Sequence, residues 1–320
     1  MGDFPEISVV IATHDREERL ERALAALAEQ TLDAERFEVV VVRSSATTPS
    51  ARTPEGMAVR FLAHDGTRGP AAKRNAGWRA AHGRLVAFTD DDCRPHPDWL
   101  AGLAAAASGE EVIVQGATAP DPEEVDRLWG LARTIEVDGP TGEYETCNIA
   151  YPRALLERVG GFDEQITAAW TEDTDLGLRA AAAGAELRFA GDALVWHAVV
   201  PRTLHEAVGD TRRYAWLVRL LARHPAYRRR RFPGRVIKPS HATLAAALLG
   251  LALARRRPLL ASALAAPYLG GHLRTHLETN RLGPRSLARF AIHAPQQSLV
   301  DLAELGVVLV AAARERTLVV

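Results

Sequence analysis

Three consecutive carboxylates, Asp90-Asp91-Asp92, follow the apolar run Leu85–Thr89. The run has the length and composition of a buried parallel strand. Ligands of open α/β sheets bind beyond the carboxyl ends of such strands. Three acids placed there repel one another and lose solvation, so they call for a cation. One reading is an oxygen-lined site for Mg²⁺ or Mn²⁺ that shares its shell with substrate phosphates. The other is a solvated acidic turn or helix N-cap. A second pattern has the opposite charge. Gly66 and Gly69 precede Lys73-Arg74 in the first turn of a helix expected to run to about His82. Glycines before a helix start, with cations in the first turn, make an anion-binding site, although the helix dipole ordinarily favours acids there. A solvated basic turn is the plain alternative. In a third pattern, Thr171-Glu172-Asp173-Thr174-Asp175 opens another helix. Thr171 can cap it, and the acids suit the positive end of its dipole.

These groups need a scaffold. Ile7–Ala12 and Phe37–Val42 are β-branched runs that read as strands, and Leu20, Ala23, Leu24 and Leu27 lie on one face of the helix between them. Strand–helix–strand order implies a parallel pair. Thr13 or Asp15 can cap that helix. Val59–Ala63, Val112–Gly116 and Cys147–Tyr151 are further strands. A helix is expected near Val125–Ala132, and a short one over Arg153–Val159 is stopped by Gly160-Gly161. Glu186–Ala190 and Ala193–Trp196 read as two extended segments, the second closed by His197.

The chain has 320 residues, enough for a large α/β domain with an appendage or for two domains. Its net charge of -1 conceals a split. Residues 1–200 carry 19 Lys/Arg and 34 Asp/Glu, whereas residues 201–320 carry 20 and 6. The second part therefore faces something anionic. The two cysteines, Cys93 and Cys147, form neither a disulfide framework nor a zinc spacing. A reducing compartment is the default. The N-terminus shows no basic stretch followed by an apolar core, so a cytosolic catalytic part is expected.

Taken together, the stretches Ile7–Arg16, Gly69–Gly77, Phe88–Cys93, Cys147–Glu164, Thr171–Arg179 and Val195–His197 resemble family 2 glycosyltransferases. The more specific part is Asn148 with Gly160-Gly161-Phe162-Asp163, followed by Glu172-Asp173, Leu176 and Arg179. The resemblance implies an inverting nucleotide-sugar transferase with a GT-A fold: a Rossmann-like mixed sheet flanked by helices over residues 1–235, then a helical extension over 236–320. Asp92 would ligate Mg²⁺ or Mn²⁺ on the donor diphosphate. Asp90 would contact the ribose or the metal, Asp91 would assist, and His197 would be a third protein contact to the metal. Asp173 would be the catalytic base, with Glu172 orienting the acceptor or supporting the base. Thr13, Asp15, Lys73 and Arg74 would hold the nucleotide. One departure stands out. The family commonly carries an acidic turn after the second strand that contacts the nucleotide base, but here the chain reads Val42-Arg43-Ser44. The donor base is then not uridine, or Asp15 or Glu17 takes over the contact. Cys93 is expected to pack rather than bind metal.

The chemistry asks for the same division of labour. A nucleoside diphosphate leaving group builds charge on phosphate oxygens, which a carboxylate-held metal and nearby cations stabilise. A second, uncommitted carboxylate must act as general base.

From about Val200 the composition changes. Apolar segments His241–Ala254, Pro258–Gly271 and Leu305–Ala313 alternate with Arg228–Arg231 and Arg255–Arg257. The first would be about 21 Å long as a helix, short of a ~30 Å bilayer core. Helices lying in the interface of an anionic leaflet are expected, at the inner face of the cell membrane. No recognition helix, RNA-binding sheet signature or zinc module marks a nucleic-acid partner. The expected partners are a nucleotide-diphospho-sugar donor, a glycan or lipid-linked acceptor, and the membrane surface through residues 200–320. The competing class is a non-catalytic membrane scaffold that keeps the fold without the donor site. A nucleotidyltransferase is a minor third, since no GxxxxGK[ST] loop is present.

Overall fold

A computed structural model of the chain describes residues 5–14, 16–44, 51–65, 69–108, 111–232, 236–279, 284–317 and 319. The strands are β1 (Ile7–Ala12), β2 (Phe37–Arg43), β3 (Val59–Ala63), β4 (Leu85–Asp90), β5 (Cys93–Pro95), β6 (Val112–Pro120), β7 (Asn148–Pro152) and β8 (Glu186–His197). They form one mixed sheet in the order β3-β2-β1-β4-β7-β6-β8-β5. The helices of this part are α1 (Glu17–Ala28), α2 (Gly69–Ala80), α3 (Trp99–Ala106), α4 (Arg153–Val159) and α5 (Glu172–Ala182).

β1, β2 and β4 are buried on both faces, as near-continuous apolar runs require. Alternate residues serve opposite cores. Ile7, Val9 and Ile11 pack with Leu20, Leu24 and Leu27 of α1 and with Trp99 and Leu103 of α3. Val10, Val86 and Phe88 pack instead with Trp78 of α2, Leu155 and Leu156 of α4, and Leu176 of α5. The expected parallel pairing of β1 and β2 is present, and β4 lies parallel on the other side of β1 with Ala12 opposite Asp90. That register releases Thr13 and Asp91 from the sheet side by side.

Several elements differ from expectation. Only a 3₁₀ turn, Val125–Arg127, forms where a helix to Ala132 was expected. Gly130, at φ +66°, holds a left-handed backbone within that stretch. The two extended segments after Gly184 are one strand, β8, which passes through Gly191 and shifts register opposite Gly116/Ala117. Thr13 caps nothing. α1 starts after Arg16 without a side-chain cap.

The contacts divide the chain into two compact units, Met1–Leu128 with Ala132–Val200, and Trp129–Leu131 with Pro201–Val320. The second begins where the composition changes. It contains α6 (Leu204–Asp210), α7 (Tyr214–Arg223), α8 (Pro225–Arg231), α9 (Pro239–Leu253), α10 (Pro258–Thr279) and α11 (Pro284–Arg314). α6 opens on a capping box between Thr203 and Glu206. Leu244, Tyr268 and Leu305 form one of its small cores. α11 is longer than the apolar run that marked it, because polar residues upstream continue the helix through Pro295. Among the described residues, Leu287–Arg314 alone is long and apolar enough to cross a membrane by length and composition.

Candidate active site

The ends of β1 and β4, the start of α2, the start of α5 and the end of β8 supply the functional groups. At the end of β4, the three acids have different fates. Asp91 is fully buried. It accepts hydrogen bonds from the Thr13 hydroxyl, from His14 N at 3.4 Å and from Arg16. It therefore ties the β1 loop to β4. Burial pushes its pKa up, against the pull of Arg16 and Thr13. Asp92 Oδ2 accepts from Arg16 at 2.8 Å. Asp90 is partly exposed and pairs with Arg74.

The other oxygen of Asp92 faces His197. Cys93 and His197 are opposed residues of antiparallel β5 and β8, which brings His197 Nε2 to 3.9 Å from Asp92 Oδ1. His197 Nδ1 lies 2.8 Å from the Ala198 carbonyl oxygen. An imidazole nitrogen facing a carbonyl carries the proton, so in the neutral ring Nε2 is the lone-pair side. Two acceptors facing each other suit a shared cation. One ion at about 2.1 Å from each ligand spans up to about 4.2 Å. The residues therefore fit a divalent metal. Cys93 Sγ belongs to the same cluster, but it sits in the apolar core and burial raises its thiol pKa well above the usual value.

α2 presents Lys73 and Arg74 inward, and both are buried. Lys73 Nζ donates to the Thr13 carbonyl at 2.8 Å and to Ser44 Oγ at 2.6 Å. Arg74 donates to Asp90 Oδ1 at 2.8 Å and to Glu172 Oε1 at 2.7 Å. Asp15 and residues 66–68 lie outside the described residues. Arg43, where the acidic turn was expected, is buried and ion-paired with Glu17. Glu17 also accepts from Ala51 N at 2.9 Å.

At the start of α5, Glu172 accepts from Trp170 N at 2.7 Å. Trp170 has φ +122°, a strained backbone for a bulky residue. Asp173 Oδ1 accepts from Thr174 N at 2.7 Å. Its Oδ2 accepts no hydrogen bond among the described residues. Burial, and then the charge of Glu172, push the Asp173 pKa well up, while Arg74 pulls it down. Thr171 precedes the helix but makes no capping bond.

Two residues matter beyond those the motifs named. Arg16 bridges Asp91 and Asp92, and the pairing of β1 with β4 is the signal that would have found it. Asn75, fully buried, brackets Phe162. Its Oδ1 accepts from Phe162 N and its Nδ2 donates to Phe162 O, each at 2.9 Å. Arg179 fastens the same segment, donating to the carbonyls of Val159 at 2.8 Å and Gly161 at 2.7 Å. Asn148 is structural: it accepts from Trp99 Nε1 at 2.7 Å and donates to Ala117 O and Ala193 O.

Residues 8–162 match the model of glycosyl transferase family 2. The chain is 26% identical over 215 residues to glycosyltransferase AglE of Haloferax volcanii, covering 62% of this chain and 68% of that protein. It is 30% identical over 244 residues to a validoxylamine A glucosyltransferase of Streptomyces hygroscopicus subsp. limoneus, covering 63% of this chain and 53%, about half, of that relative. Among solved structures, the mannosyltransferase PcManGT of Pyrobaculum calidifontis, in complex with GDP-Man and Mn²⁺, superposes with a TM-score of 0.58 at 22% identity, over 98% of this chain and 87% of that one. S. aureus TarS in complex with UDP-GlcNAc gives a TM-score of 0.52 at 15% identity, over 98% and 92%. These structures share the GT-A fold with this chain.

Proposed function

The chain belongs to glycosyltransferase family 2, and on that premise we propose that it is an inverting, metal-dependent transferase moving a sugar from a nucleoside diphosphate to an acceptor hydroxyl. The observation that carries this reading is the separation of two carboxylate sets. Asp92 faces His197 across 3.9 Å, a gap suited to a cation. Asp173, on another element, keeps one oxygen uncommitted and has a raised pKa.

The roles follow from these positions. Asp92 and His197 would hold Mg²⁺ or Mn²⁺, and Asp90, paired with Arg74, would contact the donor ribose or the ion. When bound, the ion would neutralise charge gathering on the leaving diphosphate. Asp173 takes the proton of the acceptor hydroxyl while that oxygen bonds the anomeric carbon. The bond from that carbon to the diphosphate oxygen breaks on the opposite face, and its electron pair leaves with the phosphate. A raised pKa makes Asp173 a stronger base than an ordinary carboxylate. Glu172, held by Arg74 and the Trp170 amide, lies next to that base, its own pKa raised by burial against the pull of Arg74. Arg16, before α1, and Lys73, reaching from α2 to the Thr13 carbonyl, hold the donor end in shape. The acceptor is a glycan or lipid-linked hydroxyl, and the enzyme works at the inner face of the cell membrane.

The relatives in complex with ligands hold different nucleotides, GDP-Man in one and UDP-GlcNAc in the other. The deciding experiment is calorimetric titration of UDP-, GDP- and dTDP-sugars with and without Mn²⁺. One nucleotide binding only with metal, and lost in Asp92→Ala, supports the proposal and names the base that the Arg43–Glu17 pair accepts. No binding by folded protein across the panel supports the scaffold instead.

A further inference from the structure

The helical unit has a groove of about 450 Å³ between α7 and α11, within the size range of small-molecule sites. Its floor is apolar: Ala215 of α7, with Ala303, Gly306, Val307 and Val310 of α11. Its rim is cationic, formed by Arg212, Arg219 and Arg314. The single lining acid, Glu315, is taken by Arg219 at 2.9 Å. Arg219 also lies over the Trp216 ring. Arg212 and Arg314 make no ion pair among the described residues, so two positive charges remain at the edge of an apolar trough.

We propose that this groove binds the hydrocarbon chain of a membrane lipid whose anionic head is a phosphate, with the rim arginines on the head. A purely apolar partner would leave the arginines unused. Nucleic acid would meet an apolar floor with no ring to stack on. A second copy of this chain would bring the same cations against themselves. A phosphate-headed lipid uses both features, since guanidinium suits phosphate geometry. The surroundings agree. Between Thr211 and Leu277 the sequence has 14 Arg/Lys and no Asp or Glu. Leu302 and Leu309 are exposed on α11 next to the lining residues Ala303 and Val310, which gives a chain leaving a bilayer an apolar path. The site lies in the helical unit and stands independently of the transferase reading.

Gly306 provides the test. A Cβ built there meets nothing within 4 Å. Gly306→Leu therefore starts its side chain in open space at a residue lining the groove, and it improves the helix. Full-length protein is titrated with dodecyl phosphate below its micelle concentration. Dodecyl maltoside and inorganic phosphate are the comparison ligands. Saturable binding of one dodecyl phosphate per chain is expected. It should weaken at least about tenfold in Gly306→Leu and in Arg212→Ala/Arg314→Ala, the size of losing a charged hydrogen bond. Donor binding should stay unchanged in all variants. Absence of saturable binding, or wild-type affinity in Gly306→Leu, overturns the proposal. Equal affinity for dodecyl maltoside removes the phosphate. Binding of inorganic phosphate with comparable strength makes the site an anion site and overturns the lipid.

Discussion

Asp90 and Glu172 share one guanidinium. Arg74 lies between them, 2.8 Å from Asp90 and 2.7 Å from Glu172. One cation thus joins the end of β4, where the donor is expected, to the start of α5, where the proposed base Asp173 sits. Arg74 is itself buried, so the acids and the arginine depend on each other for solvation. Removing one partner of a buried ion pair leaves an uncompensated charge, which costs about 3–5 kcal/mol. Arg74→Met is expected to lose that much stability in urea unfolding. Arg74→Lys should fall between, because an ammonium is a point charge that cannot fork to two carboxylates. An Arg74→Met midpoint equal to wild type would show that the bridge carries no stability.

Asp173→Asn is expected to lower transfer by about 10²–10⁴-fold while donor affinity stays within about twofold. The acid limb of the pH–rate profile should lie above the usual carboxylate range, because burial and the Glu172 charge raise the Asp173 pKa. The same shift sets a stability effect. A raised folded-state pKa means that the folded protein holds the proton more tightly. That contribution is complete below the unfolded pKa and is lost as pH rises through the folded one. Asn cannot ionise, so Asp173→Asn should raise the melting temperature near neutral pH and leave it unchanged in acid. Transfer at near wild-type rate in Asp173→Asn would remove Asp173 as the base.

Much of the sheet was legible because its strands are short, β-branched and bounded by turns. Ile7–Ala12, Val59–Ala63 and Asn148–Pro152 lie where periodicity puts them. The residue types at the site were legible for the same reason: acids after a buried strand are conspicuous. Their partners were not. Arg16 reaches Asp91 and Asp92 only because β1 and β4 pair in register, and Arg74 turned out to serve carboxylates on two elements at once. Local preference also misled where tertiary bonds won. The Thr13 hydroxyl goes to Asp91 rather than to a helix end, and Thr171 makes no cap although its type favours one. Arg43 replaced an expected acid, and no sequence signal paired it with Glu17.

The Asp92–His197 pair predicts how metal and donor binding are linked. Asp92→Ala should abolish Mn²⁺-dependent donor binding. His197→Ala should weaken Mn²⁺ affinity by about 10–100-fold, as loss of a supporting metal contact does. His197→Ala should leave metal-free nucleotide affinity unchanged, because its Nε2 faces Asp92. Manganese titration followed by electron paramagnetic resonance reads this directly. Full Mn²⁺ affinity in His197→Ala would assign His197 to packing alone.

Gly161 is the last point at which the site depends on backbone. It has φ +69°, and a Cβ there would lie 2.5 Å from Asn75 Oδ1. That oxygen already accepts from Phe162 N at 2.9 Å and from Trp78 Nε1 at 2.8 Å. Gly161→Ala must therefore strain the backbone and displace Asn75, which lies one residue from Arg74. The expected loss is about 2–4 kcal/mol, combining left-handed strain with overpacking. Gly160→Ala is the control, since a Cβ at Gly160 meets nothing within 4 Å although φ is +78°. It should lose only the strain, about 1 kcal/mol. Donor affinity should fall in Gly161→Ala and hold in Gly160→Ala, because only the former pushes on α2 beside Arg74. Equal stability and equal donor affinity in the two variants would mean that the Asn75–Phe162 clamp does not position the arginine.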